Sequence, residues 1–105
     1  MEHLERSGAS ILATNLRVGR AELDIVARVG PVVMVVEVRT RGRTSWTSAF
    51  GSLDGKKRLR IRRAAERLWK QRYRDDKTVD RLRIDAASVT FVEGRAVVEY
   101  VKAAF

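Results

Sequence analysis

Two carboxylates near one predicted turn are spaced so that they could act together. Residues 21–28 alternate in polarity and residues 32–39 form an apolar, β-branched run, so both segments are predicted to be β-strands. Gly30-Pro31 between them predicts a tight turn. In an antiparallel hairpin, opposite residues have a constant index sum and share a face. The sum that centres the turn on Gly30-Pro31 sets Asp24 opposite Glu37, with Cβ atoms roughly 4.5–5.5 Å apart.

Two carboxylates this close repel each other unless a proton or a cation lies between them, which is the arrangement of a divalent-metal site. Arg39 would lie one pleat further along, beside the pair, and Glu22 could join from the other strand. A plainer interpretation is that these are solvent-facing strand polars, with Arg39 paired to Glu22. The valines around Glu37 favour a site, because an acid in apolar surroundings costs free energy unless it has a partner.

Several short blocks of the sequence carry a family resemblance. They are Asn15-Leu16-Arg17, residues 22–27 (ELDIVA), residues 35–41 (VVEVRTR), Phe50-Gly51, Lys56-Lys57, Arg83-Ile84-Asp85 and Ala104-Phe105. In this order the chain resembles the YraN family, bacterial proteins similar to archaeal Holliday-junction resolvases. That family belongs to the PD-(D/E)xK, restriction-endonuclease-like fold.

The resemblance implies roles for the central residues. Asp24 takes the position of the metal-binding aspartate and Glu37 that of the acid in the Glu-x-Lys element, with Mg²⁺ or Mn²⁺ as the expected cofactor. Arg39 stands where the family has lysine; its guanidinium stays charged, yet it could hold a phosphate. The family pattern also has an early Gly-Glu in a longer first helix, whereas here Glu2 and Glu5 are the nearby acids and neither matches in place. Branched DNA as substrate and a homodimer are further implications.

Composition independently indicates a polyanionic partner. The 105 residues predict one domain, 1–105, and an apolar share of 45% is that of a globular protein. A net charge of +9 and a pI of about 11.0 favour nucleic acid first, DNA by the resemblance, and an anionic membrane surface second. The chain has no cysteine, signal pattern or membrane-length apolar run, so we expect a soluble, cytoplasmic protein without thiolate sites.

A basic helix is predicted over residues 54–75, with Ile61, Ala64, Ala65, Leu68 and Trp69 as its buried stripe. Residues 54–74 carry ten Lys and Arg against two acids, which favours phosphate contact over a merely soluble surface. The predicted nucleic-acid-binding residues are Arg41, Arg43, Lys56, Lys57, Arg58, Arg60, Arg62, Arg63 and Arg67. In the polar loop before the helix, Trp46 could stack on a base or fold back as an apolar lid.

The remaining elements are an N-terminal helix ending at Gly8, a strand over residues 10–16 and a final hairpin over 82–92 and 95–101. Together they predict an α/β fold, a single mixed β-sheet flanked by helices with a restriction-endonuclease-like core. Asp85 is interpreted as structural.

Three functional hypotheses remain open. One is a nucleic-acid-binding protein with a metal-dependent endonuclease site. Another is a non-catalytic DNA- or RNA-binding module with a degenerate site. The last is an assembly protein whose basic helix docks an acidic partner.

Overall fold

The structure, a computed structural model, describes residues 2–41 and 55–104. Its elements are α1 (Glu2–Arg6), β1 (Ser10–Val18), β2 (Ala21–Val29), β3 (Val32–Arg41), α2 (Gly55–Leu68), a π-helical turn (Trp69–Tyr73), β4 (Arg81–Val92) and β5 (Arg95–Val101). The predictions at Arg43 and Trp46 lie outside the described residues, as do the side chains of Arg41 and Lys56.

The strands form one five-stranded sheet in the order β1-β2-β3-β4-β5. Neighbouring strands are antiparallel except β3 and β4, which are parallel and are joined through α2. The predicted α/β fold with a single mixed sheet and flanking helices is confirmed. No helix in the described part of the chain combines the length and the apolar character needed to cross a membrane.

Each face of the sheet packs against one helix. On the α2 face, the predicted stripe of α2 is buried against Leu23, Val26, Val33 and Val35, while Trp69 is partly buried beside them. On the α1 face, Leu4 and Ala9 pack with a second set of strand residues: Ile25, Ala27, Met34, Val36 and Ala87. The α-helical part of α2 ends at Leu68 and the helix continues with π geometry to Tyr73, so the long helix is slightly shorter than predicted.

The alternation predicted for residues 21–28 holds only in part. Strict alternation would put Leu23, Ile25 and Ala27 on one face, but Leu23 packs on the α2 face with Val26, whereas Ile25 and Ala27 pack on the α1 face. Alternation therefore breaks at Asp24, between Leu23 and Ile25. A local break in the pleat re-aims a side chain, and here the residue at the break is the predicted metal ligand.

Asp85 is structural, as predicted. Its carboxylate is fully buried and accepts bonds from Arg83 Nε (2.8 Å) and Arg83 Nη2 (3.0 Å). The Tyr100 hydroxyl (2.5 Å) and the Ala103 backbone N–H (2.8 Å) donate to the same carboxylate. This network ties β5 and the turn after it to β4, and burial with the bond to Asp85 raises the Tyr100 pKa above its usual range.

Candidate active site at the end of the central hairpin

The central hairpin has the register that the sequence predicts. Its ladder runs from the pair Val29–Val32 to the pair Ile25–Val36, and the next positions are Asp24 and Glu37. Here side chains take part in the pairing. The backbone N–H of Asp24 donates to Glu37 Oε2 (3.3 Å), and the backbone N–H of Val38 donates to Asp24 Oδ2 (2.8 Å). The two carboxylates are therefore brought together where the ladder ends.

An irregularity shared by β1 and β2 accompanies this arrangement. Asn15 lies between the cross-strand pairs Thr14–Ile25 and Leu16–Leu23, and its φ of +50° is left-handed. Asparagine tolerates this conformation better than most residues. Periodicity alone did not identify Asn15 as a residue that shapes the site. Asparagine is depleted in strands, so its presence inside a predicted strand could have indicated the irregularity.

The Glu37 carboxyl group is buried, with 6% of the residue exposed. Its position two and four residues after Val35 and Val33 puts it on the α2 face of β3. Burial, and then the negative charge of Asp24, raise the Glu37 pKa to about 7. The backbone bond from Asp24 and the positive charges of Lys57 and Arg39 oppose that shift. Near neutral pH the group is thus poised between binding a proton and binding a cation.

We expect this pKa to appear in the pH dependence of metal-free stability. Glu37 binds its proton more tightly when folded than when unfolded, since its pKa rises from 4.5 to about 7. The free energy of unfolding should therefore fall by about 3 kcal/mol as the pH rises from below 4.5 to above about 7. Urea titrations across this pH range should show that loss in the wild type and a flatter profile in Glu37→Gln. Parallel profiles would contradict the shifted pKa.

Arg39 lies beside the acids, as predicted, and is partly buried. In parallel register its neighbour on β4 is Ser88, while Glu37 lies beside the small residue Ala86. The Nε of Arg39 is buried and has no hydrogen-bond partner among the described residues. A buried donor without an acceptor costs free energy, so the arrangement suits a ligand that brings an acceptor oxygen.

The structure brings the charge of Lys57 to the acid pair and turns Glu22 away from it. Lys57, predicted only as a nucleic-acid contact, lies in the first turn of α2, where its charge acts on Glu37. Spacing could not reveal this, because it depends on how α2 returns to the sheet. Glu22 is exposed, and its neighbours Ala21 and Leu23 both pack on the α2 face, so Glu22 points to the other side.

The acid pair suits a hard divalent cation. Among the described residues no group of three or more His, Cys, Asp or Glu side chains is placed to hold a metal. Mg²⁺ is usually held by one or two carboxylates together with water and substrate phosphates, so Asp24 and Glu37 are a sufficient protein contribution. In each carboxylate, one oxygen takes no part in the two backbone bonds described above.

The basic face predicted for the helix is solvent-exposed in the structure. Its exposed residues are Lys57, Arg58, Arg60, Arg62, Arg63 and Arg67. At the start of this face, the charge of Lys57 acts on Glu37. A polyanion lying along α2 would therefore pass near the acid pair.

Comparison with known proteins identifies relatives of this chain. Residues 1–89 match the model of a family described as "Uncharacterised protein family UPF0102". "UPF0102 protein sce2912" of Sorangium cellulosum is 54% identical over 104 residues, which are 98% of this chain and 72% of that protein. A UPF0102 protein of Ectopseudomonas mendocina is 36% identical over 99% of this chain and 85% of its own length. One from Pseudomonas fluorescens is 44% identical over 63% of this chain, and the match spans only 54% of that relative.

Proposed function

The chain belongs to the uncharacterised protein family UPF0102, also called the YraN family, and on that premise we propose that it is a nucleic-acid-binding protein with a divalent-metal-dependent endonuclease site. The observation that carries the proposal is the buried Glu37 carboxylate, which accepts a bond from the backbone N–H of Asp24. Beside it lies the buried Nε–H of Arg39, which has no acceptor among the described residues. The restriction-endonuclease-like resemblance agrees with this assignment. A nucleic-acid substrate would also agree with the expected cytoplasmic location, and the homodimer stays a prediction.

Each residue of the site has a distinct part in this proposal. Asp24 and Glu37 would hold Mg²⁺ or Mn²⁺ through their carboxylate oxygens. When bound, the ion would supply an activated water and neutralise charge on the scissile phosphate. Arg39 would donate its buried Nε–H to a phosphate oxygen, because a guanidinium binds such oxygens through charge-assisted hydrogen bonds. Lys57 would add a positive charge beside Glu37 from the helix side.

Recognition would depend on charge and shape. The exposed cations of α2 can bind backbone phosphates without reading base edges. Branched or structured DNA is the substrate class that the resemblance to resolvases suggests.

A second candidate function is a non-catalytic DNA- or RNA-binding module. The observation that favours it is Arg39 itself, which stands in the lysine position of the family pattern. A lysine ammonium can have its pKa lowered in a buried site and can then exchange a proton with an attacking water. A guanidinium stays charged near neutral pH, so Arg39 cannot take this part.

A nuclease assay separates the two candidates. Branched, nicked and single-stranded DNAs would be incubated with the wild type and with Arg39→Lys, each with and without Mn²⁺. For an endonuclease we expect cleavage of at least one branched substrate by the wild type, only when Mn²⁺ is present. Cleavage by Arg39→Lys alone would indicate a decayed site and support the binding module. Cleavage by neither protein, with no rise in melting temperature on adding Mn²⁺, would contradict the metal site.

A further inference from the structure

The turn between β1 and β2 forms one wall of a small groove, and α2 forms the other. The residues that line it are Val18, Gly19, Arg20, Ala21, Arg60, Arg63, Ala64 and Arg67. Four of them are arginines, and these described lining residues include no carboxylate. Four guanidinium groups around one groove repel each other, so an anion bound between them would be stabilised.

The groove is a built feature, because α2 and the turn are in close contact there. A Cβ on Gly19 would lie 2.7 Å from Arg67 Nη1, so the guanidinium of Arg67 rests against the backbone of the turn. Gly19 also has a φ of +61°, a left-handed conformation that favours glycine. A side chain at this position would therefore be strained and would also displace Arg67.

The other side of α2 has a different character. The groove there has a volume of about 500 Å³ and is lined largely by apolar groups, including Trp69, Leu82 and Ile84. Its charged lining residues are of both signs: Arg62, Lys70, Arg81, Arg83, Glu66 and Asp80. Mixed charge on that side gives an anion no comparable advantage. The two sides of α2 are thus distinguishable, because the charged residues among the described lining of the side facing β1 and β2 are all arginines.

The size of the arginine groove limits what it can hold. Its volume is about 180 Å³. At roughly 30 Å³ per water molecule this is room for a phosphate group and a few waters, and it is small beside the roughly 300 Å³ or more of pockets that enclose drug-sized ligands. Arginine presents donors in a planar fork that matches phosphate oxygens.

The groove lies at the same end of the sheet as the acid pair. Arg20 precedes Asp24 by four residues along the chain into β2, a separation of roughly 13 Å if extended. Along α2, the step from Lys57, whose charge acts on Glu37, to Arg63 is roughly 9 Å. Either distance is that of a few nucleotides at most, because each strand of duplex DNA carries one phosphate per roughly 3.4 Å of helix axis.

We propose that this arginine groove binds one backbone phosphate of a nucleic-acid strand whose scissile phosphate lies at Asp24 and Glu37. The inference rests on the nucleic-acid binding proposed above and adds Arg20 and the β1–β2 turn to the interface. It also gives the strand a path, from the acid pair along the side of α2 that faces β1 and β2.

The test is DNA binding without metal, so that cleavage plays no part. The dissociation constant for a labelled duplex would be measured in EDTA from 50 to 200 mM salt. The groove variant is Arg20→Gln with Arg63→Gln. The matched control is Lys77→Gln with Arg81→Gln, which removes the same charge at exposed positions. These two residues lie at or just before the start of β4, away from the acid pair. Melting temperatures would confirm that both variants fold.

We expect the groove variant to bind at least about tenfold more weakly, with its salt slope reduced by about one to two, and the control to change about twofold or less. Equal weakening by both pairs would overturn the groove while leaving the proposed function intact. If the wild type fails to bind DNA or RNA at all, the proposed function fails, and the groove assignment fails with it.

Discussion

Asp24→Asn should reduce metal-dependent cleavage by roughly 10²–10³-fold, the usual cost of removing one preorganised electrostatic contact. The variant loses the negative charge of a predicted metal ligand. It should keep its local structure, because the asparagine Oδ1 can still accept the bond that the Val38 N–H donates. Initial rates of cleavage at saturating Mn²⁺ are the measurement.

The same variant should gain stability when metal is absent. The charge of Asp24 is the second-largest cause of the raised Glu37 pKa, so its removal should lower that pKa and relieve repulsion above pH 7. For the wild type we expect Mn²⁺ to raise the melting temperature, and this rise should disappear in the variant.

The control for Asp24→Asn is Glu99→Gln, which makes the same charge change at an exposed position on β5. It should leave both the rate and the Mn²⁺ effect within about twofold of wild type, as surface changes usually do. Unchanged cleavage in Asp24→Asn would show that the acid pair is not the metal site.

Asp85→Ala should destabilise the fold by about 3–5 kcal/mol, because it leaves the guanidinium of Arg83 partly buried without its partner. The Tyr100 hydroxyl and the Ala103 N–H lose their acceptor at the same time. For a domain of this size the melting temperature should fall by roughly 15–30 °C. Urea unfolding followed by circular dichroism would give the free energy directly.

Asp76→Ala is the comparison for Asp85→Ala, because the Asp76 carboxylate accepts its hydrogen bonds from Thr78, two residues away in an exposed turn. Its effect on melting temperature should be several-fold smaller. Asp85 lies beside Val36 in the β3–β4 register, and Val36 packs on the α1 face, away from the side that Glu37 occupies. A small effect in Asp85→Ala, or a loss of Mn²⁺ binding while the fold stays intact, would contradict the structural assignment.

The sequence by itself determined the hairpin and its register. Gly30-Pro31 and the two strand patterns allow one pairing that sets Asp24 beside Glu37, and the structure has it. The stripe of α2 was equally readable, since Ile61, Ala64 and Leu68 recur at the helical period and are buried as a set. These features depend on contacts that are local in the chain, so local periodicity carries them.

Only the tertiary structure decided in which direction the Asp24 side chain points and which charges lie near Glu37. The break in alternation at Asp24 depends on β1, whose Asn15 is left-handed at the matching place, and on side-chain bonds to the backbone of the neighbouring strand. The approach of Lys57 to Glu37 depends on the return of α2 to the sheet between the parallel strands β3 and β4. Such contacts join segments that are distant in the sequence. A pattern with a period of two or 3.6 residues does not encode them, because many packings satisfy the same pattern.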